Sequence, residues 1–229
     1  MKILVVGATG TIGAQVAQAL EARHEVIRAS HSRSALTVDL AARGDVGLPL
    51  DERELRKLIA GEASGKRLLN LFGRAGAASV LAARAGAVST TTVESSASTA
   101  AWSRRNLKRN GFQEPDHVVI QARPEELLER FDEQQAPPLD LMLVAPPRSF
   151  HRRDDQAGWD ARPEYLQLLG RLLPHLVPSG KIYFVTSVRR FRLDAGDLPG
   201  ATIREISRQT TPADFRAKPP HRSWSIVRT

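Results

Sequence analysis

Along residues 66–94, KRLLNLFGRAGAASVLAARAGAVSTTTVE, the hydrophobic pattern changes period twice. Positions 67–72 form a short, mostly apolar run of strand length that stops at a turn carrying Gly73 and Gly76. A small-residue stretch of helical length follows, then the β-branched run 90–93, closing on Glu94. Strand, glycine turn, helix, strand and terminal carboxylate together make a mononucleotide-binding βαβ unit. The glycines let a ligand approach the backbone, and the carboxylate can accept both hydroxyls of a ribose.

The same alternation runs through the rest of the chain. The pattern predicts a buried strand over 3–6, a helix over 11–22 and a strand over 25–28. A short strand from Leu36 and a helix over 51–60 come next, with 61–65 as the loop into the strand at 67. After Glu94, a helix over 98–108 places Trp102 and Leu107 on its apolar side, and Asn110-Gly111 ends it as a C-cap. A strand over 117–121 leads to a helix that starts with Pro124 at its first position and runs to 133. The continuously apolar run 139–144 is a buried strand that ends abruptly at Ala145-Pro146-Pro147. Residues 148–163 read as a long polar loop, followed by a helix over 164–176, a Pro178-Ser179-Gly180 turn and a strand over 181–186. Two last strand-like runs, 201–207 and 223–227, give a hairpin-like ending, unlike the parallel crossovers before it.

At 229 residues the chain holds one good-sized α/β domain, or one with an extension. It contains no cysteine, which excludes disulfides, thiolate metal sites and cysteine nucleophiles. No apolar run is long enough to span a bilayer, and the N-terminus lacks a signal-peptide pattern, so a soluble cytoplasmic protein is expected. The six histidines show no ligand spacing, so no metal site is expected, and His221 beside Arg222 reads as a surface residue. Lys and Arg number 33 against 25 Asp and Glu. The basic residues cluster at 104–105, 108–109, 152–153 and 189–192, which suits a polyanionic partner.

The N-terminal GATGTIG, with Gly7, Gly10 and Gly13 between a strand and a helix, resembles the cofactor turn of short-chain dehydrogenases. That resemblance implies a dinucleotide at the helix N-terminus, and Arg28, His31 and Arg33 would suit the 2′-phosphate of NADP. It covers residues 1–35 only. The family's Tyr-x-x-x-Lys pair is missing, since Tyr165 and Tyr183 are followed at that spacing by Leu169 and Ser187.

A second resemblance covers residues 36–229. GLPLDER, LNLF followed by Gly76, STTTVE, WSRRNLKRNGF, the Pro146-Pro147 strand end, GKIYF, RRFRLD, TTPADF and HRSW stand in the order seen in class I S-adenosylmethionine-dependent methyltransferases. More closely, the chain is similar to the C-terminal domain of bifunctional bacterial 23S rRNA guanine methyltransferases of the RlmKL type. The resemblance implies a Rossmann-like class I methyltransferase fold: an α/β protein whose mostly parallel sheet has an antiparallel C-terminal strand. Here a dinucleotide-binding-like βαβ unit precedes it.

That family's pattern, carried over by position, implies a cofactor site for S-adenosylmethionine at Asn70, Phe72, Gly73, Gly76, Glu94, Ser95 and Ala145. It implies RNA contacts at Pro146, Pro147, Arg148, Phe150, Arg189 and Arg190. Four departures stand out. Arg74 and Ala75 replace a tyrosine and a threonine, Arg123 replaces an acidic residue that reads adenine, Ala145 replaces an Asp or Asn acceptor, and Ser187-Val188 replace an Asn pair. Without cysteine, methylation of cytosine C5 through a covalent adduct is excluded, whereas guanine N7 or an exocyclic amine needs no adduct. The expected function is rRNA guanine methylation, with activity reduced or lost as far as the departures weaken the pocket. The alternatives are a catalytically inactive methyltransferase fold that binds structured RNA, and an NADP-binding short-chain-dehydrogenase-like protein.

Overall fold

In the computed structural model, residues 27–29, 36–38, 48–134, 137–146, 162–188 and 190–229 are described. Two short strands, β1 (Ile27–Ala29) and β2 (Leu36–Val38), pair antiparallel with each other. The strand expected over 3–6, the helix expected over 11–22 and the glycines at 7, 10 and 13 lie outside the described residues. So does most of the loop called over 148–163.

From residue 48 the chain builds one seven-stranded sheet. A 3-10 turn, Leu50–Glu52, leads into α1 (Arg53–Glu62), then β3 (Arg67–Leu71), α2 (Ala77–Arg84), β4 (Ser89–Glu94) and α3 (Ala97–Arg109). Next come β5 (His117–Gln121), α4 (Pro124–Gln134), β6 (Leu139–Val144) and α5 (Arg162–Leu172). The chain ends with β7 (Leu176–Thr186), β8 (Ala201–Glu205), the short α6 (Ser207–Thr210) and β9 (Arg222–Arg228). Across the sheet the order is β5-β4-β3-β6-β7-β9-β8. The first five of these strands are parallel, and β9 runs antiparallel to both β7 and β8.

Alternation along the buried strands sorts the core into two layers. Leu69, Leu71, Met142, Val144, Ile182 and Phe184 face one side, where Leu127 and Leu128 of α4 and Tyr165 and Leu169 of α5 cover them. Leu68, Leu141, Leu143, Tyr183 and Val185 face the other, under Leu55 and Ile59 of α1 and Ala78 and Ala82 of α2. α3 completes that second layer through Ala100 and Leu107, packed on Val80 and Val119. The alanines of α2 matter here, because short side chains let the helix lie close on the sheet.

Boundaries differ from the sequence reading toward the C-terminal end, where the strand expected over 201–207 stops at Glu205 and Ser207 starts α6. The helix expected over 164–176 ends at Leu172 and tightens into a 3-10 turn, Leu173–His175, where Pro174 removes a backbone donor. β7 starts at Leu176 instead of Lys181, and Pro178-Ser179-Gly180 is a bulge inside it. Leu139 pairs with Leu176 while Leu141 already pairs with Lys181, so the extra residues loop out of register.

Candidate functional site

The chain leaves β3 to one side through β4 and β5, and to the other through β6 and β7. The carboxyl ends of β3 and β6 therefore border the topological switch point, where open α/β sheets leave a crevice. A cavity lies there, on the layer that carries α1 and α2. Its floor is Asn70, Phe72, Gly73, Leu143 and Ala145. Its sides are Arg74, Ala77 and Ala78, and Pro49, Glu52 and Arg56 close it.

The turn after β3 is tightly specified. Phe72 and Arg74 adopt positive φ (59° and 51°), a region that costs non-glycine residues free energy, and Gly76 follows at 74°. The Phe72 and Gly73 N–H groups both donate to the Val93 carbonyl, at 3.0 and 3.3 Å. A Cβ on Gly73 would stand 2.3 Å from Thr92 Cγ2, and one on Gly76 would stand 2.3 Å from Ser103 Oγ. Below the turn, Asn70 Nδ2 donates to Ser79 Oγ at 3.0 Å, and Ser79 Oγ meets Thr92 Oγ1 at 2.7 Å. Asn106 of α3, fully buried, donates to the Ala75 carbonyl at 2.8 Å.

Glu94 ends β4 beside this turn, and one of its carboxylate oxygens accepts the Arg74 N–H. Burial pushes its carboxyl above the usual range, against that hydrogen bond and the Arg74 charge. The Arg74 side chain reaches the other way, and its Nη1 lies 3.4 Å from Glu52 Oε1. Glu52 and Arg56 are 8% and 6% exposed. Burial raises the Glu52 pKa against the pull of both arginines, while Arg56 is pressed down by burial against the pull of Glu52. Arg56 Nη1 donates to the Pro49 carbonyl at 2.7 Å.

The segment that closes the cavity is fastened to the far end of the chain. His221 Nδ1 lies 2.9 Å from Asp51 Oδ2, and Arg53 pairs with Asp214 with its guanidinium 5.9 Å from the Phe215 ring centroid. His221 is 4% exposed, which corrects its reading as a surface residue. The carboxylate receives the Nδ1 proton, while Nε2 is buried without a hydrogen-bond partner among the described residues.

Of the cofactor residues expected from sequence, Asn70, Phe72, Gly73 and Ala145 line the cavity together. Gly76 is buried behind the turn, Glu94 stands beside it, and Ser95 is exposed. Pro146 is buried just past β6, and Arg190 is exposed. Pro147, Arg148, Phe150 and Arg189 lie outside the described residues, as do Gly7, Gly10 and Gly13. Arg123 points outward, and its Nε donates to Glu126 Oε1 at 2.8 Å while Glu126 caps its backbone N–H at 3.0 Å. Sequence reasoning missed Glu52 and Arg56 as cavity residues. The available signal was Arg56 itself, a charge set between Leu55 and Ile59 on the face of α1 that turns inward.

The basic clusters divide between structural and exposed roles. Arg104 donates to the Val119 carbonyl at 2.8 Å, so it ties α3 to β5. Phe191 is buried among Tyr165, Phe184 and Trp224, with ring centroids 5.3 Å away in each case. Its neighbours Arg190 and Arg192 are exposed. Among the described residues no helix is long and apolar enough to cross a membrane, and no group of three or more His, Asp or Glu could hold a metal ion.

The model of the S-adenosylmethionine-dependent methyltransferase family matches residues 20–208, starting ahead of the division at 35/36 that the sequence suggests. The chain is 37% identical over 183 residues to the ribosomal RNA large subunit methyltransferase K/L of Allochromatium vinosum, covering 80% of this chain and 25% of that protein. The protein of the same name from Methylococcus capsulatus is 39% identical over 184 residues, again 80% and 25%. The chain thus spans about a quarter of the length of these relatives. A putative SAM-dependent methyltransferase from Streptococcus mutans superposes with a TM-score of 0.70 at 22% identity, covering 90% of this chain and 56% of that one. A putative methyltransferase solved in complex with SAH gives 0.69 at 20% identity, covering 89% and 56%. At these identities the two structures speak for the fold.

Proposed function

This chain belongs to the S-adenosylmethionine-dependent methyltransferase family, and from that premise we propose that it methylates a guanine of ribosomal RNA. The observation that carries the proposal is the cavity at the β3–β6 switch point, with the left-handed turn and Glu94 at its edge. Its residues fit the family's cofactor: a glycine too confined to bear a Cβ, a carboxylate at the tip of β4, and buried charges of both signs. S-adenosylmethionine supplies an electrophilic methyl group on a sulfonium. In this reading Glu94 accepts the ribose hydroxyls, and Phe72 and Gly73 form the wall beside the methionine part. Asn70, held by Ser79, fixes the end of β3, and Gly76 holds the turn in shape from behind. Ser95 borders the nucleoside, and Ala145 lines the side next to the target base. Catalysis by such a site is mainly positioning, since the displacement needs donor and acceptor in line. Pro146, Pro147, Arg148, Phe150, Arg189 and Arg190 meet the RNA, whose phosphates the basic surface attracts. Such a protein acts in the cytoplasm. The names of these relatives support the rRNA substrate.

A second reading, an RNA-binding module without catalysis, is favoured by Ala145, an apolar residue in the cavity where the resemblance calls for an acceptor. Titration calorimetry with S-adenosylhomocysteine, followed by transfer of labelled methyl groups to unmodified 23S rRNA, separates the two. Binding with transfer is the expected result. Binding to RNA without transfer favours the module, and no heat at roughly millimolar ligand, a threshold near −4 kcal/mol, overturns the cofactor site.

A further inference from the structure

We propose that Arg222 and Arg162 are positioning residues for the RNA contact: they hold the backbone of residues 190–193 so that Arg190 and Arg192 face the phosphates before RNA arrives. The inference rests on the RNA-binding reading above and adds Arg162, Arg192 and Arg222 to it.

Residues 190–193 alternate between two environments. Phe191 and Leu193 are buried in the core layer under α5, while Arg190 and Arg192 are exposed. With every second side chain anchored in the core, the basic pair is turned outward. The segment follows the end of β7, on the same carboxyl edge of the sheet as the cavity.

Two consecutive backbone carbonyls of this segment each receive a guanidinium. Arg222, the first residue of β9, donates from Nη1 to the Phe191 carbonyl. Arg162, the first residue of α5, donates from Nε to the Arg192 carbonyl at 3.3 Å. Each guanidinium is in turn held by a carboxylate. Glu205, at the end of β8, takes Arg222 in a fork, Nε at 3.1 Å and Nη2 at 2.6 Å, and Ser207 Oγ donates to the same carboxylate at 2.6 Å. The Arg222 guanidinium also lies 5.1 Å from the Trp224 ring centroid. Asp197 accepts Arg162 Nη2 at 2.6 Å, and its other oxygen accepts the Asp194 N–H at 2.7 Å, which fixes the turn that follows.

Both ion pairs are partly exposed, a setting in which such pairs add little to stability. Each also cancels its own charge, so neither clamp adds net attraction for a polyanion. What they supply is order. An arginine that grips a phosphate loses backbone and side-chain freedom, and a backbone held beforehand removes part of that cost. Lysine could carry the charge, but it lacks the planar fork that reaches a carboxylate and a carbonyl at once.

Filter binding with unmodified 23S rRNA tests this through Arg222→Lys and Arg162→Lys, which keep the charge and lose the fork. Each should weaken RNA binding about three- to tenfold, the cost of ordering one side chain on binding. In a chain already carrying Arg190→Ala and Arg192→Ala, the same lysine substitutions should change affinity by less than about twofold, because the side chains they position are gone. A cooperative urea transition shows that each variant is folded. Should one lysine variant fail to fold, the other, at the neighbouring carbonyl, decides. If the wild type does not bind the RNA, the RNA-binding reading itself fails. If it binds and the lysine variants lose nothing, or lose the same factor in both backgrounds, that reading stands and this inference is overturned.

Discussion

Asp51 and His221 are 170 positions apart in sequence and 2.9 Å apart in space. An ionised carboxylate only accepts, so the histidine Nδ1 carries the proton of this contact. The pair ties the segment that closes the cavity to the residue just before β9. One side of the cavity is therefore held through a contact between residues far apart in the chain.

That pairing predicts a stability cost for His221→Ala. The substitution leaves a buried void and strips Asp51 of its partner, so a loss of roughly 2–4 kcal/mol is expected. Urea unfolding should show a lower midpoint at unchanged slope. The sign of the pH dependence follows from Asp51. Its burial opposes ionisation, but the hydrogen bond and charge of His221, a backbone hydrogen bond and the Arg74 charge together outweigh it, so its pKa is lowered from 3.8. The contribution is thus fully present above 3.8 and disappears as pH falls through the lower folded value. A variant within about 0.5 kcal/mol of wild type at neutral pH would show that the clamp contributes nothing.

Gly76 offers a sharper test of the turn. Its φ of 74° disfavours any side chain, and an added Cβ would meet Ser103 Oγ at 2.3 Å. Gly76→Ala should cost about 2–4 kcal/mol, the sum of left-handed backbone strain and a clash. Combining it with Ser103→Gly removes the clash and leaves the strain, so the pair should be less damaging than the two single losses added together. Simple additivity would place the cost elsewhere.

Much of this was legible in sequence. The strand over 117–121, the buried run 139–144 and the C-cap at Asn110 all appear where the pattern put them, because each is set by local chemistry. The turn at Gly73 and Gly76 was legible for the same reason, since short side chains mark close approach. What stayed hidden depends on distant partners. His221 looks like a surface residue until Asp51 is beside it, and Phe191 looks like part of an arginine cluster until Trp224 and Phe184 surround it. Glu52 ends the 3-10 turn and Arg56 sits on the inward face of α1, and only the fold brings the end of β3 against them.

Glu94→Gln separates the ribose contact from folding. Burial raises the Glu94 pKa above 4.5, against the Arg74 N–H and charge. The folded chain therefore holds that proton more firmly than the unfolded one, and stability falls as pH rises from 4.5 through the folded value, then stays level. The glutamine should abolish this slope. If the carboxylate accepts ribose hydroxyls, affinity for S-adenosylhomocysteine should rise over the same window in the wild type. The glutamine should bind at least about tenfold more weakly at neutral pH, with no such rise. A variant with wild-type affinity would remove Glu94 from the site.

Arg190 and Phe191 are neighbours with opposite fates, and they separate RNA binding from folding. Phe191 is 3% exposed in the aromatic cluster, so Phe191→Ala should cost about 3–5 kcal/mol. Arg190 is exposed, and Arg190→Ala should change stability by no more than about 0.5 kcal/mol. If its guanidinium meets a phosphate, the same change should weaken rRNA binding across sequences. It should also flatten the plot of log affinity against log salt by roughly 0.7–0.9, the counterions released at one phosphate. Filter binding at four or five salt concentrations measures the slope, with S-adenosylhomocysteine affinity as the control for an intact cavity. An unchanged slope would take Arg190 out of the RNA interface and leave that surface to the remaining basic residues.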